Sequence, residues 1–187
     1  TTEFGTLGLG YMSVGVDNIP ITAKSGKTLT SVGSFKYESS LLKCGYLVSL
    51  SKRLHLGSAI NIYRNEIGVV VGNGMNMDLG VLFTDHNFEA SLLVKNVVPK
   101  LKLRYTNNAT EDFSFQTISS LGYQFDDIKV FGQIKTVSHH KAPLKSVGLE
   151  YSPKILKLIS IYTGLKEYYA MDTVNNTYTL GFGLNLM

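Results

Sequence analysis

Few residues in this chain have the type and spacing that chemistry requires. His139-His140 is its only histidine pair, but adjacent residues of an extended chain point to opposite faces, which makes them a poor chelate for a metal ion. Asp85-His86 offers an acid beside a base, in a predicted tight turn with no nucleophile near in sequence. Asp126-Asp127 is a carboxylate pair, again at a predicted turn. Cys44, the single cysteine, falls in an apolar row and reads as a small hydrophobe. Gly72-Asn73-Gly74 reads as a loop or turn, and the sequence contains no phosphate-binding loop, zinc-protease, nucleophile-elbow or paired-cysteine motif. These residues predict no enzyme, cofactor or metal site. A net charge of +4 is too mild to predict a nucleic-acid partner.

The remaining charges fall in a pattern that does carry information. Lys43, His55, Asp78, Glu89, Lys95, Lys129, Lys135 and Glu150 each fall on the polar side of stretches that alternate with a period of two. Leu42, Cys44, Tyr46, Val48 and Leu50 share one face, with Lys43, Gly45 and Ser49 behind them. Met77, Leu79, Val81 and Phe83 stand against Asp78, Gly80 and Thr84, and Phe88, Ala90, Leu92 and Val94 against Glu89, Ser91 and Lys95. The same alternation recurs from Leu7 to Met12, Leu54 to Ile62, Phe115 to Phe125, Ile128 to Lys135, Ser146 to Tyr151 and Tyr178 to Leu186, while 156–165 is apolar on both faces. Hydrophobic residues make up 44% and charged residues 17% of the 187, and no apolar run is long enough for a transmembrane helix.

The links between these stretches alternate in length. Ser51-Lys52-Arg53, Asp85-His86-Asn87, Asp126-Asp127 and Ser152-Pro153-Lys154 are hairpin-sized; Asp17 to Ser39, Asn65 to Met75, Val98 to Asp112, Ser138 to Leu144 and Glu167 to Asn175 are longer. Amphipathic strands joined by short and long links in turn predict an all-β chain. The expected form is a single domain over residues 1–187: an antiparallel, up-and-down transmembrane β-barrel of about ten strands, with short periplasmic turns and long outer loops. The eight charges above would face the lumen, mutually paired in a crowded interior. A soluble sandwich or lipocalin-like barrel is the rival, because a soluble sheet alternates too.

The order of several short motifs resembles the PorV/PorQ family of bacterial outer-membrane proteins, related in shape to FadL-type barrels. The residues concerned are Gly8-Leu9-Gly10-Tyr11-Met12-Ser13-Val14-Gly15 with Asn18-Ile19-Pro20, then Gly45-Tyr46, Leu54-His55-Leu56-Gly57 and Met77–Phe83. Leu93–Val97, Val147–Tyr151 and Leu180–Leu184 complete the series, which spans nearly the whole chain. The family's Gly/Ala-rich opening and its Asn-Pro-Ala-Gly motif have no counterpart here, so either a shortened barrel or the C-terminal part of a larger one is expected. The resemblance implies a bacterial outer-membrane protein with the lipid bilayer and envelope or secretion-system proteins as partners, acting as a scaffold for secretion or surface attachment. A FadL-like channel for small hydrophobic solutes is the alternative. Thr179, Gly181, Leu184 and Leu186 look like the signal read by barrel-assembly machinery, a pattern shared with mitochondrial outer-membrane barrels.

Overall fold

In the computed structural model, residues 5–26, 28–138, 140, 142–153, 159–170 and 173–184 are described. They form strands joined by turns, and among them no helix is long and apolar enough to cross a membrane. The strands are β1 (Thr6–Ser25), β2 (Thr28–Ser49), β3 (Leu54–Ile67), β4 (Val70–Asp85), β5 (Phe88–Lys95), β6 (Lys102–Tyr105), β7 (Thr110–Asp112), β8 (Gln116–Phe125), β9 (Ile128–Val137), β10 (Leu144–Tyr151), β11 (Ile159–Ala170) and β12 (Thr173–Leu184). They belong to one sheet in the order β1-β2-β3-β4-β5-β8-β9-β10-β11-β12, with β6 pairing β4 and β7 off this path. The strand pairs from β4 to β12 are antiparallel, and among the described residues β1 and β12 are not paired with each other. The all-β expectation is met, and the sheet path has the ten strands foreseen, with two short ones added.

Three of the links expected to be long loops are instead largely strand. The stretch from Asp17 to Ser39 is the top of a β1–β2 hairpin, turning at Gly26 with φ +65°; Asn65 to Met75 turns at Gly68 with φ +60°; and of Glu167 to Asn175 the described residues, 167–170 and 173–175, are all strand. Alternation marks a strand only where its two faces meet different surroundings. Much of β1 is exposed on both faces, so its backbone pairing continues where the sequence pattern has faded. The segment from Val98 to Asp112 contains β6 and β7.

Contacts divide the chain into two compact units, one of residues 1–46, 58–78 and 96–113, the other of 47–57, 79–95 and 114–187. In the second unit the register fixes the facing. Ala90, Leu121, Gly132, Val147, Leu165 and Tyr178 oppose one another in a single row across six strands. One position away runs the row Glu89, Gly122, Phe131, Gly148, Gly164 and Thr179. Since opposite residues share a face and neighbours along a strand do not, the first row lies on an apolar face and the second on a polar, glycine-rich one. Register also resolves the facing of β11: Ile159 and Ile161 oppose Leu184 and Phe182 on the apolar face, whereas Ser160 and Tyr162 oppose glycines on the other. Glycine is needed at 148 because the Phe131 ring covers it; a Cβ there would collide with the ring.

Candidate functional site

In the first unit, polar side chains are gathered where β3 and β4 meet the chain leaving β5. Asp78 is 2% exposed. Its Oδ2 accepts from the Lys43 Nζ at 2.7 Å and its Oδ1 from the Asn96 backbone N–H at 3.1 Å. Asn96 has φ +57°, a left-handed corner that asparagine tolerates better than most residues. Beyond it the chain is fastened to β4 three more times. Val97 N–H donates to the Met77 carbonyl at 2.9 Å, Val98 N–H to Asn76 Oδ1 at 3.2 Å, and Asn76 Nδ2 to the Val98 carbonyl at 3.1 Å. The Tyr63 hydroxyl donates to Asn96 Oδ1 at 3.4 Å. Asn61 is buried against the Asp78 carboxylate, with neither end of its amide in hydrogen-bond geometry with the described residues.

This arrangement aims the following segment, which returns along β4 as the β6–β7 hairpin. Gly72 and Asn73 pair with Tyr105 and Arg104, so Gly72-Asn73-Gly74 is strand and not the loop expected from its glycines. Those glycines make room: a Cβ on Gly72 would lie 2.5 Å from the Tyr105 ring, and one on Gly74 2.9 Å from Phe113 and 3.0 Å from the Leu103 Cα. Leu103 is buried and Phe113 packs on Tyr63 at 4.8 Å between ring centroids. Burial holds the Tyr105 phenol above its ordinary pKa, and a hydrogen bond to Glu111 at 2.9 Å adds to this. Gly74→Ala should therefore destabilise by about 1–3 kcal/mol, because backbone atoms as well as the Phe113 ring would have to move. Gly10→Ala, with nothing within 4 Å of the new methyl, should cost nothing measurable. Urea titration of the two variants side by side checks this, and equal midpoints would contradict the packing.

The eight charges singled out from the sequence do not form one site. Lys43 pairs with Asp78; Lys129 Nζ pairs with Glu89 Oε2 at 2.8 Å; His55 Nδ1 lies 2.8 Å from the Ser49 hydroxyl; Glu150 accepts from Ser152 at 3.1 Å. Lys95 and Lys135 lie in a separate group toward the opposite end of their strands from Glu89 and Lys129, with Lys166 nearby. Sequence reading passed over Asn61, Tyr63, Asn76 and Asn96. The available signal was amide side chains recurring at polar-face positions of strands otherwise filled by Gly and Ser.

The weaker candidates also have structural positions. Asp85 bonds Arg53 at 3.1 Å and His86 at 2.7 Å in the turn after β4. Asp126, at φ +52°, turns β8 into β9, and Ser152 N–H donates to the Asp127 carbonyl at 2.8 Å. Cys44 is exposed. His140 stacks on Tyr169 at 3.9 Å, while His139 lies outside the described residues. Of the terminal-strand signal, Thr179 opposes Gly164, Gly181 opposes Tyr162 and Leu184 opposes Ile159, while Leu186 is outside the described residues. Among the described residues no group of three or more His, Cys, Asp or Glu is placed to hold a metal ion.

On the apolar face of the second unit lies a groove of about 610 Å³. Its lining includes the small residues Ala90, Ser119 and Gly132 and the larger Phe83, Leu92 and Leu121. No protein-family model matches the chain, and no curated protein is significantly similar to it.

Proposed function

We propose that the chain is a transmembrane β-barrel of the bacterial outer membrane, of PorV/PorQ type, that serves as a scaffold for envelope proteins during secretion or surface attachment. The observation that carries this reading is the exposure of large apolar side chains on one face of an antiparallel sheet whose other face carries ion pairs, glycine and serine. Leu121 is 60% exposed and Tyr178, Leu180 and Phe182 are 81%, 70% and 73% exposed. An apolar surface this continuous needs lipid or a partner to cover it. In lipid the unpaired edges of β1 and β12 would each cost several kcal/mol per unsatisfied backbone group, which favours their joining, directly or through further strands. Thr179, Gly181 and Leu184 would present the assembly signal on β12. The scaffold is favoured over a FadL-like solute channel because the polar faces carry ion pairs, Lys43–Asp78 in the first unit and Lys129–Glu89 in the second, while the apolar groove lies on the side that lipid would cover.

Closure and function are tested together. Cysteine pairs scanned around Gly10 and Gly181, in a Cys44→Ala background, should crosslink at one register in a directly closed barrel. Crosslinking at none, with a longer native reading frame, would support a larger barrel of which these strands are part. In planar bilayers the scaffold reading expects no stable conductance steps from the folded protein, and regular steps would turn the assignment to a channel.

A further inference from the structure

On the polar face of the second unit, three lysines converge with no ion-pair partner among the described residues. Lys95 opposes Gln116, Lys135 opposes Ile118 and Leu144, and Lys166 opposes Ser146, all in the register of one face. Lys95 and Lys166 are both within electrostatic range of Lys135. Among the described residues none of the three makes an ion pair, unlike Lys129, which shares β9 and its polar face with Lys135 and pairs with Glu89. Lys135 and Lys166 line a cavity of about 360 Å³ together with Gln116, Gln133, His140 and Tyr169. Two polar atoms there are shielded from solvent with no hydrogen-bond partner among the described residues: Gln116 Oε1 and the Tyr169 hydroxyl. The carboxylate in the lining, Glu167, accepts from the Lys145 backbone N–H at 2.7 Å.

Like charges held together at a concave surface repel one another, and the repulsion is relieved when an anion enters. We infer that this cavity is a binding site for a phosphate-class anion, inorganic phosphate or a phosphomonoester. A doubly charged tetrahedral oxyanion suits it better than a carboxylate, since it matches the excess of ammonium groups and offers more acceptor oxygens. The Tyr169 hydroxyl can donate to it, and a half-turn of the Gln116 amide presents a second donor. The stacked rings of His140 and Tyr169 form one wall against which the organic part of a phosphomonoester can lie.

The experiment is calorimetric titration of the full chain, folded in detergent, with inorganic phosphate, glycerol 3-phosphate and dihexanoyl phosphatidic acid. Saturable phosphate binding with Kd below about 1 mM is expected, weakening as salt rises. Lys135→Gln with Lys166→Gln should weaken it at least tenfold, while Lys129→Gln, whose lysine is already paired with Glu89, should leave it unchanged. Tighter binding of the phosphatidic acid identifies a lipid headgroup as the natural source, and equal or weaker binding identifies a free phosphate compound. Far-UV circular dichroism confirms that each variant folds. Where the double variant does not fold, Tyr169→Phe and Gln116→Leu are titrated instead, and each should weaken binding. No saturable binding by the folded wild-type chain, or binding unchanged in the folded variants, overturns the site.

Discussion

Leu121→Arg should cost about 2–4 kcal/mol of folding free energy when the protein is unfolded by urea from lipid vesicles, provided that residue lies near the bilayer midplane. The position separates two physical settings that look alike in the fold. Leu121 lies near the middle of β8 and is 60% exposed, with Ala90 and Gly132 opposite. If water covered this face, an exposed leucine could become arginine at a cost within about 0.5 kcal/mol. If lipid covers it, the guanidinium must be dragged toward a headgroup or hydrated locally. A near-zero difference in vesicles would therefore remove the bilayer from the account, even with the sheet intact. Ser120→Arg, one residue along and on the polar face, serves as the comparison, since its cost comes from crowding and persists in detergent and bilayer alike.

Asp78→Ala should cost about 3 kcal/mol, near the lower end of what breaking a buried ion pair costs. The carboxylate is almost fully buried, but its partner Lys43 is 40% exposed and can recover water once released. The rest of the loss falls on the Asn96 amide, left without the oxygen that receives it. A Lys43→Met and Asp78→Ala double-mutant cycle isolates the ion-pair part. Hydrogen exchange should then quicken across 96–113 before the rest of the sheet, because that segment is tied to β4 through Asp78 and Asn76. Asp112→Ala, which breaks an exposed pair with Lys102, should stay within about 0.5 kcal/mol. Equal stability of the Asp78 and Asp112 variants would mean that the buried cluster does not hold the hairpin.

What could be read from sequence was whatever depends on neighbours along the chain. Alternation located the strands of the main path, and residues such as Asp85-His86-Asn87 and Asp126-Asp127 located tight turns, because each follows from a local contrast between faces or from turn geometry. The extended tops of β1 and β2 were missed because both faces of such a hairpin meet similar surroundings. Gly72 and Gly74 were misread for a different reason: their small size serves Tyr105 and Phe113, which lie more than thirty residues away. The polar clusters were legible only as a list of inward charges. Which lysine finds a carboxylate depends on register across several strands. Lys43 and Asp78 are 35 residues apart, and no local pattern relates them.

The β5–β8 seam also has a consequence for the order of assembly. Apart from it and the short β4–β6 pairing, every neighbour in the sheet is also the next strand in the chain, so most pairing can zip from one hairpin to the next with little loop to close. Joining β5 to β8 instead requires the twenty residues 96–115 to be drawn into a closed loop. For a flexible segment that costs roughly 2 kcal/mol more in chain entropy than a two-residue turn. When residues 96–98 are already pinned to β4 and 102–112 already folded as a hairpin, most of that freedom has been surrendered before the seam forms. If the Asp78 cluster forms first, its carboxylate acts as a kinetic staple, lowering the entropic barrier at the longest detour on the sheet path.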